Sequence, residues 1–252
     1  MSNPIQIRNT IIGTGRPKIC IPLVDETLEG LERSAAALRA FPCDLVEWRA
    51  DFFEKEADPV CRKEALSLLR ELLPGTPLLF TIRTKEEGGM YQKDRAEYVR
   101  AILEVIQTGL ADLVDAELSC GEDRMKEILQ AAHEKKLFVV GSRHNFVSTP
   151  PKEELVGTMR RMQTLGCDLV KYAVMPQCER DVLTLLDASL TMKEQYPDTP
   201  VITMSMGRLG AISRICGELS GSAVTFGSAG ASSAPGQLPA DRLAEILNCL
   251  SL

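Results

Sequence analysis

The chain lacks the features that put a protein in a membrane or on nucleic acid. No apolar run approaches the roughly 20 residues of a membrane span. The amino terminus, MSNPIQIRNT, is polar and has none of the charged-then-apolar layout of a secretory leader, so a cytoplasmic protein with no membrane partner is expected. Basic residues form no stripe; acids and bases are interspersed and the net charge is −6, which argues against a nucleic-acid partner. Of the eight cysteines, at 20, 43, 61, 120, 167, 178, 216 and 249, none is spaced Cys-x-x-Cys. Reduced, mostly buried thiols are expected of them, not a zinc site. Histidine is scarce as well: His133 and His144 are the whole supply.

What is present is core-forming material in a regular rhythm. Of 252 residues 44% are apolar, ample for a core, and one α/β barrel commonly has this length, so residues 1–252 are expected to form a single domain. Short apolar runs recur: KICIPLV (18–24), DLVEWRA (44–50), PLLFTIR (77–83), DLVDAEL (112–118), LFVVGSR (137–143), DLVKYAV (168–174), PVITMSM (200–206) and AVTFGSA (223–229). Most lack the alternation of a one-sided strand and read as strands covered on both faces. Between them lie amphipathic helical segments, several ending at glycine. A Pro-Pro pair at 150–151 opens one of these segments. Strand alternating with helix eight times predicts a (β/α)8 barrel rather than an open sheet. The opening IQIRNTIIGTGRPKI predicts a β-hairpin closing the barrel's bottom, with Gly-Thr-Gly in its turn.

Asp-Leu-Val-X occurs three times, at 44–47, 112–115 and 168–171, with X equal to Glu47, Asp115 and Lys171. By strand count these are the second, fourth and sixth strands. Alternate strands supply the layers inside a barrel, so the three X residues are expected to share a layer near the C-terminal mouth. The odd strands add Arg83, His144, Ser205 and Met206 to the same end. Each residue also has a bland reading. Lys171 could be a paired strand-end charge, Asp115 a structural counter-charge and His144 a core histidine, while His133 is expected to be solvated near the negative end of a helix. The concentration of opposite charges at the end where barrel enzymes work favours chemistry. There, desolvation and nearby arginines would disfavour a charged amine, and a neutral amine attacks ketones and aldehydes to give an iminium. His144, on the neighbouring strand, could move the protons, and a carboxylate would have to hold its ring. Glu87, in the loop with Gly88 and Gly89, is the best placed candidate, with Glu86 solvated beside it.

Arg49, Arg83 and Arg214 each offer a planar donor fork for carboxylate or hydroxyl oxygens, against the alternative of a surface ion pair. Glu47 and Arg83 suit polyol hydroxyls. The segment GSAGASSAPGQLP (227–239) has the composition of a lid, with Ser233 and Gln237 as donors on closing; a phosphate-binding loop is the alternative, without a lysine to support it.

Six segments, in order over essentially the whole chain, then carry a resemblance: EWRAD (47–51), TIRTKEEGG (81–89), SRHNF (142–146), KYAVMPQ (171–177), ITMSMGRLGAISR (202–214) and TFGSAGASSAPGQ (225–237). They resemble the type I 3-dehydroquinate dehydratases, or 3-dehydroquinases, of the shikimate pathway. The resemblance implies a homodimeric (β/α)8 barrel with no cofactor or metal, converting 3-dehydroquinate to 3-dehydroshikimate through a lysine Schiff base. It makes Lys171 the imine-forming residue, His144 the proton carrier and Glu87 the residue that orients it. Glu47 and Arg83 would contact ring hydroxyls; Arg214, Ser233 and Gln237 the carboxylate; Met206 and Phe226 would shape the pocket, with Arg49 in support. Asp115 is a further candidate partner for the histidine. Arg143 and Tyr172 stand where the family is expected to carry other residues. Two rival readings remain: a Schiff-base aldolase using the same lysine, and a barrel without imine chemistry. The latter would be a carboxylate-and-histidine metal hydrolase or a binding protein with no chemistry; His144 has no second histidine beside it in the expected mouth, which argues against the metal site.

Overall fold

The computed structural model describes residues 3–230 and 233–251. A hairpin of β1 (Ile5–Ile7) and β2 (Thr10–Ile12) precedes eight parallel strands: β3 (Lys18–Leu23), β4 (Leu45–Arg49), β5 (Leu78–Thr81), β6 (Leu113–Glu117), β7 (Phe138–Asn145), β8 (Leu169–Val174), β9 (Val201–Ser205) and β10 (Val224–Ser228). Each strand from β3 to β9 lies beside the next in sequence, and β10 returns to lie beside β3. The ring closes between β9 and the approach to β10, where the Ala223 N–H donates to Val201 O at 2.7 Å. The Ser222 hydroxyl stands in for a ladder bond there, accepting from the Thr203 N–H at 3.0 Å. A two-residue strand, β11 (Leu238–Pro239), adds alongside β10. The (β/α)8 barrel expected from the rhythm is the fold, and each of its eight strands falls within the run that predicts it, apart from the last two residues of β7.

Helices α1 (Leu28–Ala37), α2 (Pro59–Leu72), α3 (Arg95–Thr108), α4 (Glu122–Glu134), α5 (Lys152–Leu165), α6 (Glu179–Gln195), the one-turn α7 (Gly217–Ser220) and α8 (Ala240–Leu250) cover the outside. Side-chain oxygens of Thr27, Asp58 and Asp94 cap the first three, satisfying N–H groups that have no partner within the helix. Pro151 sits just before α5, where its missing N–H costs nothing. Helices α3 and α5 stop at Gly109 (φ 66°) and Gly166 (φ 99°), a left-handed conformation that side chains other than glycine resist.

The Asp-Leu-Val-X repeat is a complete strand instruction. Its aspartates each accept a backbone N–H from the preceding strand: Asp44 from Ile19 at 2.7 Å, Asp112 from Leu78 at 2.9 Å and Asp168 from Val139 at 2.8 Å. Successive side chains on a strand point to opposite faces. Leu45, Leu113 and Leu169 therefore fill the barrel interior, while Val46, Val114 and Val170 pack beneath the helices. Two residues after each aspartate's leucine, Glu47, Asp115 and Lys171 point inward again, one layer higher.

The hairpin does close the bottom, with Ile7 and Ile12 packed against the lowest interior layer. Its turn, however, is Arg8–Asn9 and not Gly-Thr-Gly, because Arg8 itself takes the left-handed conformation (φ 50°). The Arg8 side chain anchors that turn, donating to Asp112 Oδ1 at 2.6 Å and to Pro74 O at 2.8 Å. His133 also departs from expectation: it is not merely solvated, since its Nε2 lies 2.9 Å from Asp168 Oδ2. All eight cysteines are free. Among the described residues no helix is long and apolar enough to cross a membrane.

Asp112 joins the hairpin (Arg8), helix α2 (Arg70, 2.8 Å) and strand β5 (Leu78). Removing it takes the carboxylate from two guanidinium groups and the acceptor from a strand N–H. Asp112→Ala is expected to lower the urea-unfolding free energy by about 3 kcal/mol; a loss below about 1 kcal/mol would show that water replaces the aspartate at no real cost.

Candidate active site

Lys171 projects from β8 into the barrel and is 5% exposed. Its Nζ lies 3.3 Å from Glu47 Oε1 on β4 and 3.8 Å from Asp115 Oδ2 on β6. The ring of Phe226, on β10, stands 4.4 Å away. The layer inferred from the repeat is thus assembled by side-chain contact. Its electrostatics differ from the sequence reading. That reading surrounds the amine with arginines; the structure puts carboxylates against it, because the arginines are engaged elsewhere.

Arg83, at the end of β5, is where much of that engagement occurs. Its guanidinium reaches Asp115 Oδ2 and Glu117 Oε1, both at 2.8 Å, the Ser142 hydroxyl at 3.1 Å and, more distantly, Glu87 at 3.9 Å. Burial opposes the charge on Arg83, but these three carboxylates outweigh it and hold the group firmly protonated. Burial likewise opposes ionisation of Asp115, yet Arg83 and Lys171 win and keep its carboxyl below the usual range. Ser142 adds a 2.6 Å hydrogen bond to Asp115 Oδ1. Glu117 and Ser142 are site residues that the sequence reading missed. Glu117 had a signal, since it follows Asp115 by two positions on the same strand and so faces the same way.

His144, on β7, sits with its Nδ1 2.9 Å from Glu87 Oε2, and the same oxygen accepts the His144 backbone N–H at 2.9 Å. Glu87 Oε1 accepts from Arg143 Nη1 at 2.9 Å. Glu86 points away, mostly exposed, towards Arg95. Asp115 makes its hydrogen bonds to Arg83 and Ser142, so the carboxylate against the imidazole is Glu87. Burial above all, then the charges of Arg83 and Lys171, pushes His144 well below the ordinary imidazole range. With Glu87 ionised, Nδ1 carries the ring hydrogen and Nε2 keeps a lone pair for the cavity.

Arg49 closes the opposite wall. It grips Asp51 through two 2.8 Å bonds and donates to Ser233 O at 3.4 Å. Asp51 also accepts the Met90 N–H at 3.1 Å, tying the lid to the loop that carries Glu87. The described part of the lid is docked: Pro235 O accepts from Gly207 N at 3.1 Å and from Arg214 Nη2 at 3.0 Å. Ser233 and Gln237 bond to each other twice, backbone N–H to Oε1 and Nε2 to hydroxyl. Ala231 and Ser232, inside the segment read as a lid, lie outside the described residues.

Beneath the lid is a small cavity. Glu47, Arg49, Arg83, Glu87, His144, Lys171, Met206, Phe226, Ser233 and Gln237 all reach its wall. Arg214 does not; it lies behind Pro235, 2% exposed, with Nε and Nη1 unpartnered. Burial draws Arg214 down to about 10. A larger hollow, between Lys85, Tyr91 and Cys120, shares Glu117 with this neighbourhood but not Lys171. Among the described residues no three His, Cys, Asp or Glu side chains are grouped to hold a metal ion.

Residues 19–252 match the family model for type I 3-dehydroquinase. The chain is 46% identical to the 3-dehydroquinate dehydratase of Bacillus licheniformis, over 99% of this chain and 98% of that protein. Its fold superimposes with a TM-score of 0.96 on a crystal structure of type I 3-dehydroquinate dehydratase from Clostridium difficile with covalent modified comenic acid, at 46% identity, covering 99% of this chain and 98% of that one. The Geobacillus kaustophilus 3-dehydroquinate dehydratase gives a TM-score of 0.95 at 41% identity, covering 98% of this chain and 96% of that one. With its barrel, its buried lysine and its carboxylate-held histidine all in the matched region, the chain belongs to the type I 3-dehydroquinase family of hydro-lyases.

Proposed function

We propose that this chain dehydrates 3-dehydroquinate to 3-dehydroshikimate, a shikimate-pathway step, through an imine on Lys171. The same reading makes it a cytoplasmic homodimer that uses no cofactor. The observation that carries the chemistry is a buried primary amine opening on the same cavity as an imidazole held from behind by a carboxylate.

The Lys171 amine passes a proton to Glu47, the nearer carboxylate, and adds to the C3 ketone; loss of the carbonyl oxygen as water leaves an iminium. That iminium withdraws electrons from the C2–H bond, and His144 Nε2 takes the proton. The enamine expels the C1 hydroxyl, which leaves as water on receiving the proton from His144. Hydrolysis of the remaining imine returns the amine and frees the product, for a net loss of one water. One imidazole serving as base and then acid requires both groups on one face, a syn elimination. In this reading Glu47 and Arg83 contact the ring hydroxyls, Met206 and Phe226 form the walls, and Ser233 and Gln237 bind the carboxylate. Arg214, a buried guanidinium with two idle nitrogens and no carboxylate partner, supplies charge of the matching sign behind the lid.

Borohydride added with 3-dehydroquinate is expected to leave a reduced ligand mass on Lys171, read by peptide mass spectrometry, while the enone absorbance of the product rises in its absence. A lysine left unmodified would remove the imine, and labelling by sugar-phosphate aldehydes alone would favour an aldolase. His144→Ala should still be trapped by borohydride but turn over roughly 10²–10⁴-fold more slowly. Turnover near that of the parent would exclude the histidine from proton transfer. A Cβ at Gly236 (φ 80°) would lie 2.3 Å from Gly207 O. Gly236→Ala is therefore expected to raise KM about tenfold through poorer lid docking, with little change in Tm; an unchanged KM would mean that lid docking is unrelated to substrate retention.

A further inference from the structure

We propose that Arg143 is a positioning residue for the imidazole: by holding Glu87 Oε1 it fixes the carboxylate that aims His144 and keeps Nε2 free to act as a base. The inference rests on the dehydration proposed above for its catalytic consequence, and its first test does not depend on that reaction.

On β7 the side chains of Ser142 and His144 face the barrel interior, and Arg143 between them starts from the other face. It pairs across the sheet with Tyr172. Its guanidinium nevertheless turns to the mouth and reaches Glu87 at 2.9 Å, although 41% of the side chain is exposed and solvent could hold it instead. Glu87 itself is 1% exposed. Three donors saturate this carboxylate: Arg143 on Oε1, and the ring and backbone nitrogens of His144 on Oε2. Arg83 is 3.9 Å away with its shorter contacts taken by Asp115, Glu117 and Ser142. Arg143 is thus the cation within hydrogen-bond reach of Glu87 among the described residues.

The surroundings make that bond consequential. Burial pushes the Glu87 carboxyl up; Arg83, then a hydrogen bond from the Ser119 hydroxyl, then Arg143 pull it down, and Asp115 pushes it up again. Glu117 faces the same group. Should Glu87 take a proton, its hydroxyl would donate to His144 Nδ1. The ring would then carry its hydrogen on Nε2, and the lone pair needed in the cavity would be gone. A guanidinium on Oε1 favours the ionised carboxylate and so opposes a proton on either of its oxygens. The other charges around the pair, Arg83 from β5, Asp115 and Glu117 from β6, Lys171 from β8 and Arg49 from β4, stay in place when Arg143 is replaced. Losing one positive charge can only make Glu87 and His144 easier to protonate.

The test is nitrogen NMR of the two imidazoles in the intact protein, with His133→Gln assigning the second signal. At neutral pH the parent is expected to show His144 as the Nδ1–H tautomer. Arg143→Met should gain Nε2–H signal, and the acidic limb of its kcat profile should move up by roughly 0.5–1 pH unit, a size that allows for solvent screening of a half-exposed charge. Arg143→Lys should restore most of both. An unchanged tautomer in folded Arg143→Met would overturn the proposal and reduce Arg143 to a surface ion pair. A changed tautomer with an unmoved kcat profile would instead count against His144 as the base while sustaining Arg143 as its positioner.

Discussion

The site depends on one constraint: charges taken inside a barrel must neutralise one another there. Lys171 and Arg83 are both buried, and Glu47, Asp115, Glu117 and Glu87 surround them at the top of the strands. A buried ion pair is costly to dehydrate, and replacing such pairs with apolar side chains of equal volume is often neutral or stabilising. The cluster is therefore weak evidence of a fold seeking stability. It suits the proposed chemistry, which needs an amine, a nearby acceptor and geometry fixed by the network.

The barrel makes this cluster possible by simple alternation. The Asp-Leu-Val-X phrase binds each of three strands to its predecessor, fills the interior with leucine, packs valine beneath the helices and presents X at the mouth. Apolar layers lie below, and the hairpin carrying Ile7 and Ile12 packs against them at the lower end. At the upper end the Arg49–Asp51 pair joins two loops, one carrying the lid residue Ser233 and the other Glu87. Closing the mouth and holding the histidine's partner are thereby parts of one connected structure.

Strand order, barrel class and the inward direction of Glu47, Asp115 and Lys171 were legible because they follow from period and repetition, both local properties of the chain. Glu117 was within reach of the same argument, carried two residues further along β6. The hairpin turn was misplaced because Gly-Thr-Gly is the stronger local turn signal; Arg8 takes a left-handed conformation where distant Asp112 and Pro74 hold its side chain. His133 was read from its position near the end of α4, whereas its partner Asp168 lies at the start of β8.

By itself the sequence determined which side chains face the interior and at what height, since alternation along a strand needs no knowledge of neighbours. The pairing of charges was decided only by the tertiary structure. Arg83 is matched to Asp115 and Glu117, and Lys171 to Glu47, across strands far apart in the chain. Which carboxylate meets which cation depends on distances of about 3 Å, and those are set when the sheet closes on itself.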